Sequence, residues 1–311
     1  MISAVIATQN RAGRLEALLD SLASQTRGPL LEAIVVDDGS TDATPDLLER
    51  GVDGIELRAL RHDPPRGPAA ARNVGWRAAR GRLVAFLDDD VVAESIWAKA
   101  LEDAHRRVPG AVIQGRTDPD PAELARAGVF RRSREVTGPD PSYPACNIAY
   151  PRDLLERLGG FHEDFRRPSG EDTDLAWRAR ANGAQIIYED FARVRHAVYA
   201  GGLAGLLRDA ARWEDTVLAL RRNPSIRSAY RHGIFWQESH ELLLVALAGA
   251  CLARRTGGLS LALATPYARH YVAHHRRVAG ALAALPGYAL VDAAEMLALL
   301  RGSMRHRTLV L

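Results

Sequence analysis

Along its first two hundred residues the chain alternates short apolar runs that end in polar or acidic clusters with stretches whose apolar residues recur every three or four positions. Ser3–Thr8 reads as a buried strand. Leu15, Leu18, Leu19 and Leu22 then mark one face of a helix, with Asn10 placed to cap it. Glu32–Asp38 is a second strand ending in two carboxylates, and Gly39-Ser40-Thr41-Asp42 turns it into a helix at Pro45–Arg50. Ile55–Leu60 is a third strand, followed by the Arg-, Pro- and Gly-rich loop Arg61–Pro68 and a helix at Ala69–Arg80 closed by Gly81. In the stretch Leu83–Val92, five mostly apolar residues that suit a buried strand run into Asp88, Asp89 and Asp90, followed by two valines. A helix near Ser95–Arg107 and a strand at Ala111–Thr117 complete the alternation. Such alternation predicts an α/β fold, a mostly parallel sheet with helices on both faces.

After Asp118 the pattern changes. Asp118–Pro144 is rich in Pro and Arg and reads as a long loop with one short helix. Order returns at Tyr143–Pro151, and a helix at Asp153–Leu158 is stopped by Gly159-Gly160. Gly170-Glu171-Asp172-Thr173-Asp174 opens another helix, with Asp174 as an ordinary cap. Ala184–Tyr188 is a last strand, followed by Val194-Arg195-His196. From Gly201 onward the pattern is helical, with helices expected at Leu203–Leu220, Ile234–Ala253, Tyr267–Ala284 and Ala289–Arg301. The expected division is a catalytic domain at 1–200 and a helical C-terminal region at 201–311.

Composition narrows this picture. With 47% hydrophobic and 25% charged residues the chain is globular. A formal charge of only +3 argues against a dedicated nucleic-acid binder. The charge is uneven: 14 Arg against 7 acids from Gly201 to the end give that region +7 and leave the front −4. Because Lys99 is the only lysine, part of the Arg excess is a chain-wide bias. Cys146 and Cys251 lie far apart in no metal or redox spacing, which fits a reducing cytosol. The N-terminus lacks the pattern of a signal peptide. The longest apolar run, Leu242–Ala253, is about a dozen residues, too short to span a bilayer. The expected location is cytoplasmic, with attachment at the inner face of the membrane as an option. Several tail helices are apolar on more than one face, so they pack on the catalytic domain, form a homo-oligomer or lie in a membrane interface. His270 and His274 share a helix face but have no third ligand nearby in sequence, so they read as solvated.

The chemistry gathers at the strand ends, where α/β sheets bind ligands. Asp37, Asp38, Asp88, Asp89 and Asp90 all fall there. Crowded like charges are costly unless water solvates them or a cation gathers them. Alternation along the strand lets Asp88 and Asp90 point one way and Asp89 the other. No GxGxxG follows the first strand, and Thr8–Gly13 is no Walker loop, so nicotinamide enzymes and P-loop nucleotidases fit poorly.

The ordered set VIATQNR, VVDDGSTD, GPAAARNVG, AFLDDD, LGGFHEDF and GEDTDLAWR resembles the inverting family 2 glycosyltransferases of the GT-A fold, over roughly Ile2–Tyr199. That resemblance implies a nucleotide-diphosphate sugar donor, UDP- or GDP-linked, held mainly by residues 1–117, with 118–200 on the acceptor side. Asp38 matches the acid that holds base or ribose, with Thr8 and Asn10 nearby. Arg72 matches a nucleotide-contacting position. Asp88 and Asp90 match the DxD-type motif that holds Mn²⁺ or Mg²⁺, Asp90 most directly, and Asp89 counts with the donor-binding residues. His196 matches a further metal ligand, and Asp172 matches the general base. Read without the family, His196 is a packed or surface histidine, and Glu171 with Asp172 a helix-capping pair.

Two other classes stay open. A sugar nucleotidyltransferase shares the layout but lacks its Gly-rich, basic signature here and leaves GEDTDLAWR unexplained. A non-catalytic nucleotide-sugar-binding protein would be expected to lack Asp172. The acceptor is not named by the sequence.

Overall fold

The computed structural model describes residues 1–25, 30–165, 167–274 and 280–311. Within them, β1 (Ile2–Thr8), β2 (Leu30–Asp37), β3 (Leu57–Arg61), β4 (Leu83–Asp88), β5 (Val91–Ala93), β6 (Val112–Pro119), β7 (Asn147–Pro151) and β8 (Ile186–His196) form one sheet in the order β3-β2-β1-β4-β7-β6-β8-β5. β1 to β4 pair in parallel, β7 runs antiparallel to both β4 and β6, β6 pairs in parallel with β8, and β5 runs antiparallel to β8. The sheet is therefore mixed, with a parallel half built by strand–helix crossovers and an antiparallel strand inserted at its middle. The helices that accompany it are α1 (Ala12–Ala23), α2 (Thr44–Arg50), α3 (Pro68–Ala78), α4 (Trp97–Arg107), α5 (Pro121–Arg126), α6 (Arg152–Leu158) and α7 (Glu171–Ala181).

Alternation along the strands fills both faces. Ala4 and Ile6 of β1 pack in one core with Leu15, Leu18, Leu19 and Leu22 of α1 and with Trp97 and Leu101 of α4. Val5 points the other way, to Gly75 of α3. Trp97 is fully buried, and its indole donates to Asn147 Oδ1 at 2.9 Å, so its one polar atom is satisfied. Glu32 is a buried acid inside β2. Burial opposes its charge, yet the Ser3 hydroxyl at 2.6 Å, the Arg80 amide at 2.8 Å and Arg58 at 3.0 Å hold its pKa below the ordinary value.

Register fixes where the chemistry sits. Thr8 lies opposite Asp37, and Ala7 lies opposite Asp88, so the acidic ends of β2 and β4 flank the end of β1. The turn Asp89-Asp90 separates β4 from β5 rather than feeding a helix directly.

Four local expectations change. Asn10 caps no helix; with φ 56° it turns its side chain to the loop after β2, and α1 begins without a side-chain cap. Gly81 does not end α3, which stops at Ala78; it lets the chain pass close to β1, with its amide bonded to Ser3 Oγ at 2.8 Å. Asp174 does not cap α7. It is fully buried and bonded to Arg178 Nε at 2.8 Å, while Arg178 also donates to the Leu158 and Gly160 carbonyls, tying α7 to the end of α6. The strand expected at Ala184–Tyr188 continues to His196, because β6 and β5 pair along its length.

By residue contacts the chain divides into two units, Met1–Glu123 with Ser133–Ala197, and Leu124–Arg132 with Val198–Leu311. The second unit is helical, with α8 (Gly202–Ala210), α9 (Trp213–Arg222), α10 (Glu238–Leu252), α11 (Thr265–His274) and α12 (Leu285–His306), and 3₁₀ turns at Pro224–Ala229 and Leu259–Ala264. The helix expected over Leu203–Leu220 is broken at Ala211-Arg212. Of the helix expected over Tyr267–Ala284, residues 275–279 lie outside the described residues, as does the side chain of His274. Asp292 of α12 accepts hydrogen bonds from Ser239 of α10 at 3.0 Å and from Tyr267 and Tyr271 of α11 at 2.7 and 2.8 Å, so one buried carboxylate fastens three helices. No helix of the described residues is long and apolar enough to cross a membrane.

Gly81→Ala is expected to destabilise the chain by about 1–3 kcal/mol, because a Cβ there would stand 2.6 Å from the Ser3 amide nitrogen, an immovable backbone atom. Urea denaturation followed by circular dichroism reads this out, and an unchanged midpoint would refute the close approach.

Candidate active site

Three loops at the ends of β1, β2 and β3 are laced together. The Asn10 amide donates to Ser40 Oγ at 2.9 Å, and Asn10 Oδ1 accepts from the Thr41 and Asp42 amides at 2.7 and 3.2 Å. Gln9 donates to the Asp38 carbonyl at 2.9 Å. Asp37 is bound by Arg61 and by the Ser40 amide at 2.8 Å. Asp38 is buried, and its carboxylate accepts from the Arg66 and Gly67 amides at 2.9 and 2.8 Å and lies 2.8 Å from His62 Nδ1. Asp38 thus shapes the loop between β3 and α3 whatever else it touches.

The three carboxylates diverge at the turn that follows β4. Asp89 is buried and turned to β1, where Thr8 Oγ1 donates to it at 2.8 Å and Arg11 at 2.9 Å. Burial, with Asp90 adding and Arg11 opposing, pushes its pKa up to about 6. Arg11 also reaches Asp90 at 2.7 Å. Asp88 is 33% exposed at the side chain while Asp90 is 6%, so one carboxylate faces outward and the other lines the floor.

His196 enters through the pairing of β5 with β8, which sets Val91 opposite His196 and bonds the Ala197 amide to the Asp90 carbonyl at 2.9 Å. Ligand atoms of Asp88, Asp90 and His196 lie within 4.8 Å of one another. His196 Nδ1 lies 2.8 Å from the Ala197 carbonyl, an acceptor only, so Nδ1 carries the proton. Nε2 faces the site, 3.4 Å from Asp90 Oδ1. A ring nitrogen held by a backbone carbonyl while the other faces a site is the usual support of a metal-bound histidine. Two carboxylates and an imidazole fit a Mn²⁺-type ion well and Mg²⁺ acceptably.

Arg72 of α3 joins this cluster to α7. Its side chain is 7% exposed and donates to Asp88 Oδ1 and to Glu171 Oε1, both at 2.8 Å, with its guanidinium 5.7 Å from the Phe161 ring centroid. Burial opposes the guanidinium charge, but Asp88, Glu171 and Asp172 together raise its pKa further. Glu171 Oε2 is buried without a hydrogen-bond partner among the described residues. Neither Arg11 nor Glu171 stood out in the sequence as a site residue. An Arg four positions before a helix leucine face, or an acid at a first helical turn, carries no local signal of its distant partner.

Asp172 stands next to Glu171 in the first turn of α7, which Gly170 opens at φ 93°, a left-handed backbone that suits glycine. It is half-buried. Its Oδ1 accepts from the Thr173 amide at 2.8 Å and its Oδ2 from the Ala145 amide at 3.2 Å, while Thr173 Oγ1 and Trp177 Nε1 hold the Ser142 and Pro141 carbonyls. Burial raises the pKa of Asp172 despite Arg72 and these amides. Burial and the neighbouring charge of Asp172 raise that of Glu171 as well. The site therefore holds a fixed, partly accessible carboxylate with enhanced proton affinity across a buried arginine from an acidic, metal-compatible cluster.

The sequence profile of glycosyl transferase family 2 matches residues 3–159. The validoxylamine A glucosyltransferase of Streptomyces hygroscopicus subsp. limoneus is 32% identical over 219 residues, covering 59% of this chain and 48% of that protein. The pre-mycofactocin glycosyltransferase of Mycobacterium tuberculosis is 34% identical over 210 residues, covering 63% and 42%. The chain thus spans about half the length of the curated relatives it matches. Among solved structures, the mannosyltransferase PcManGT from Pyrobaculum calidifontis in complex with GDP-Man and Mn²⁺ aligns over 97% of this chain and 86% of its own, with TM-score 0.68 and 22% identity. TarS 1–349 of S. aureus in complex with UDP aligns over 99% and 92%, with TM-score 0.53 and 19% identity. These likenesses bear out the GT-A-type architecture of a mixed, mostly parallel sheet with a helical C-terminal region. With the family profile matching half of the chain in the half that carries the acidic strand ends, the chain belongs to glycosyltransferase family 2.

Proposed function

We propose that this chain moves a sugar from a nucleotide-diphosphate donor, UDP- or GDP-linked, to an acceptor hydroxyl with inversion, using Mn²⁺ or Mg²⁺. The observation that carries the reading is the clustering of ligand atoms of Asp88, Asp90 and His196 within 4.8 Å of one another, with Arg72 linking Asp88 to Glu171, the neighbour of Asp172. The GDP-Man and Mn²⁺ of one solved relative and the UDP of another support a nucleotide-sugar donor. Residues 1–117 would bind the donor, 118–200 would face the acceptor, and 201–311 would be accessory.

A divalent cation held by Asp88, Asp90 and His196 would stabilise the negative charge that develops on the departing diphosphate. Asp38, Thr8 and Asn10, at the ends of β1 and β2, would shape the pocket for the base and ribose. Arg72 keeps Asp88 and Glu171 at fixed separation from within the protein, and Arg11 does the same for Asp89 and Asp90. Asp172 would accept the proton of the acceptor hydroxyl as it attacks. Two backbone amides hold its carboxylate in place, and burial makes it a stronger base than an ordinary aspartate. Departure on one side and attack from the other invert the anomeric centre. Incubation with labelled UDP- and GDP-sugars tests the reaction. Nucleoside diphosphate release supports transfer, pyrophosphate chemistry would favour a nucleotidyltransferase, and binding without turnover a non-catalytic protein.

Asp172→Asn is expected to lower kcat by at least about 10²-fold with donor affinity unchanged, the range of a lost general base. In the unsubstituted enzyme kcat should fall as pH drops through the Asp172 pKa, since only the carboxylate form accepts a proton. That limb should lie above the ordinary aspartate range, because burial raises the pKa. Near-normal turnover of the variant would remove the assignment. Asp90→Ala should abolish the Mn²⁺ dependence of donor binding in isothermal titration, and equal affinity with Mn²⁺ or EDTA in the unsubstituted chain would refute the metal role. Arg72→Lys should lower stability by about 3–5 kcal/mol in urea denaturation, because an ammonium cannot span both carboxylates as the fork does.

A further inference from the structure

The second unit carries an exposed apolar surface. On α10, Leu244, Val245, Leu247, Ala248, Cys251 and Leu252 are all exposed, a spacing that makes one continuous stripe down the helix. The opposite face, with Leu243 and Gly249, is buried. Gly249 admits the 3₁₀ turn Leu259–Ala264 against that face. Ser260 Oγ donates to the Gly249 carbonyl at 2.7 Å, and a Cβ at 249 would come within 2.9 Å of Leu263 Cβ. The turn in its place projects Leu259, 82% exposed, and Leu261, 53% exposed. Arg254 and Arg255, both exposed, sit between the helix and the turn. No Asp or Glu occurs anywhere from Leu242 to Val291.

Exposed apolar surface of this extent marks an interaction site. Its chemistry distinguishes the occupant. A protein partner is commonly met by both signs of charge, whereas leucines beside arginines in a carboxylate-free stretch match the boundary between anionic headgroups and acyl chains. At 15 residues, α10 is too short to cross a bilayer but long enough to lie in its surface. We propose that α10 and the Leu259–Ala264 turn dock on an anionic lipid bilayer, with the leucines entering the headgroup–acyl boundary and Arg254 and Arg255 meeting lipid phosphates.

The test is co-sedimentation of the full chain with phosphatidylcholine vesicles and with vesicles of phosphatidylcholine and phosphatidylglycerol at 7:3. Binding to the anionic vesicles that weakens in 0.5 M NaCl is expected. Arg254→Gln should weaken it about 5-fold and the Arg254→Gln/Arg255→Gln pair about 25-fold, from roughly 1 kcal/mol per basic residue near an anionic surface. Leu259→Ser/Leu261→Ser should abolish sedimentation while leaving the thermal midpoint unchanged, since both side chains are exposed. Failure to sediment with anionic vesicles overturns the proposal, as does sedimentation that both variants leave intact. Light scattering that shows a dimer dissolved by the leucine pair, with no vesicle binding, would assign the surface to a second copy instead. Lipid binding is read without sugar transfer, so its outcome is independent of the catalytic reading.

Discussion

The crowding of carboxylates at one end of the sheet is the constraint on which the first unit depends. Asp37, Asp38, Asp88, Asp89, Asp90 and Glu171 are gathered in a largely buried setting where their mutual repulsion is only weakly screened. The fold tolerates them because each is met by a specific donor: Arg61 for Asp37, two backbone amides and His62 for Asp38, Arg11 for Asp89 and Asp90, and Arg72 for Asp88 and Glu171. Of these, the Arg72 bridge reaches furthest, since it links the end of β4 to the first turn of α7, 83 positions from Asp88 to Glu171 along the chain.

This neutralisation is uneven, and the unevenness is what a reaction site needs. Asp38 and Asp89 have their oxygens engaged by the protein itself, so they act as shape. Asp88 stays a third exposed, and His196 Nε2 faces Asp90, so with Asp90 these groups form a set that could hold a cation. Asp172 keeps one edge accessible while two amides fix its orientation. Rigid neighbours thus hold the groups that would act, which is the general condition for preorganised chemistry.

The helical unit combines a polar clasp with an apolar core. A single buried carboxylate, Asp292, collects three hydroxyl donors and locks α10, α11 and α12 inside, while the outward face of α10 is left apolar. Leu243, Tyr267 and Met296 pack as an apolar core beside this clasp, so the exposed leucines of α10 are additional to the core rather than exchanged for it.

What the sequence by itself determined was everything local in cause. The α/β alternation, the four buried leucines of α1, the acidic strand ends and the αL stop at Gly159 all follow from periodicity and turn chemistry, and the structure bears them out. The ordered motifs likewise made the family legible. What only the tertiary structure decided was pairing at a distance. Arg72 carried no sign that it would lie buried between Asp88 and Glu171, nor Glu32 that Ser3, Arg58 and Arg80 would satisfy it. Gly81 looked like a helix stop because glycine favours that role, but the close passage of β1 sets its identity. His196 seemed to follow a strand, because no local pattern announces that β5 and β6 will extend β8 to meet it. Hydrophobic period is written in neighbouring residues, whereas the partner of a charge is chosen by the topology that brings two remote segments together.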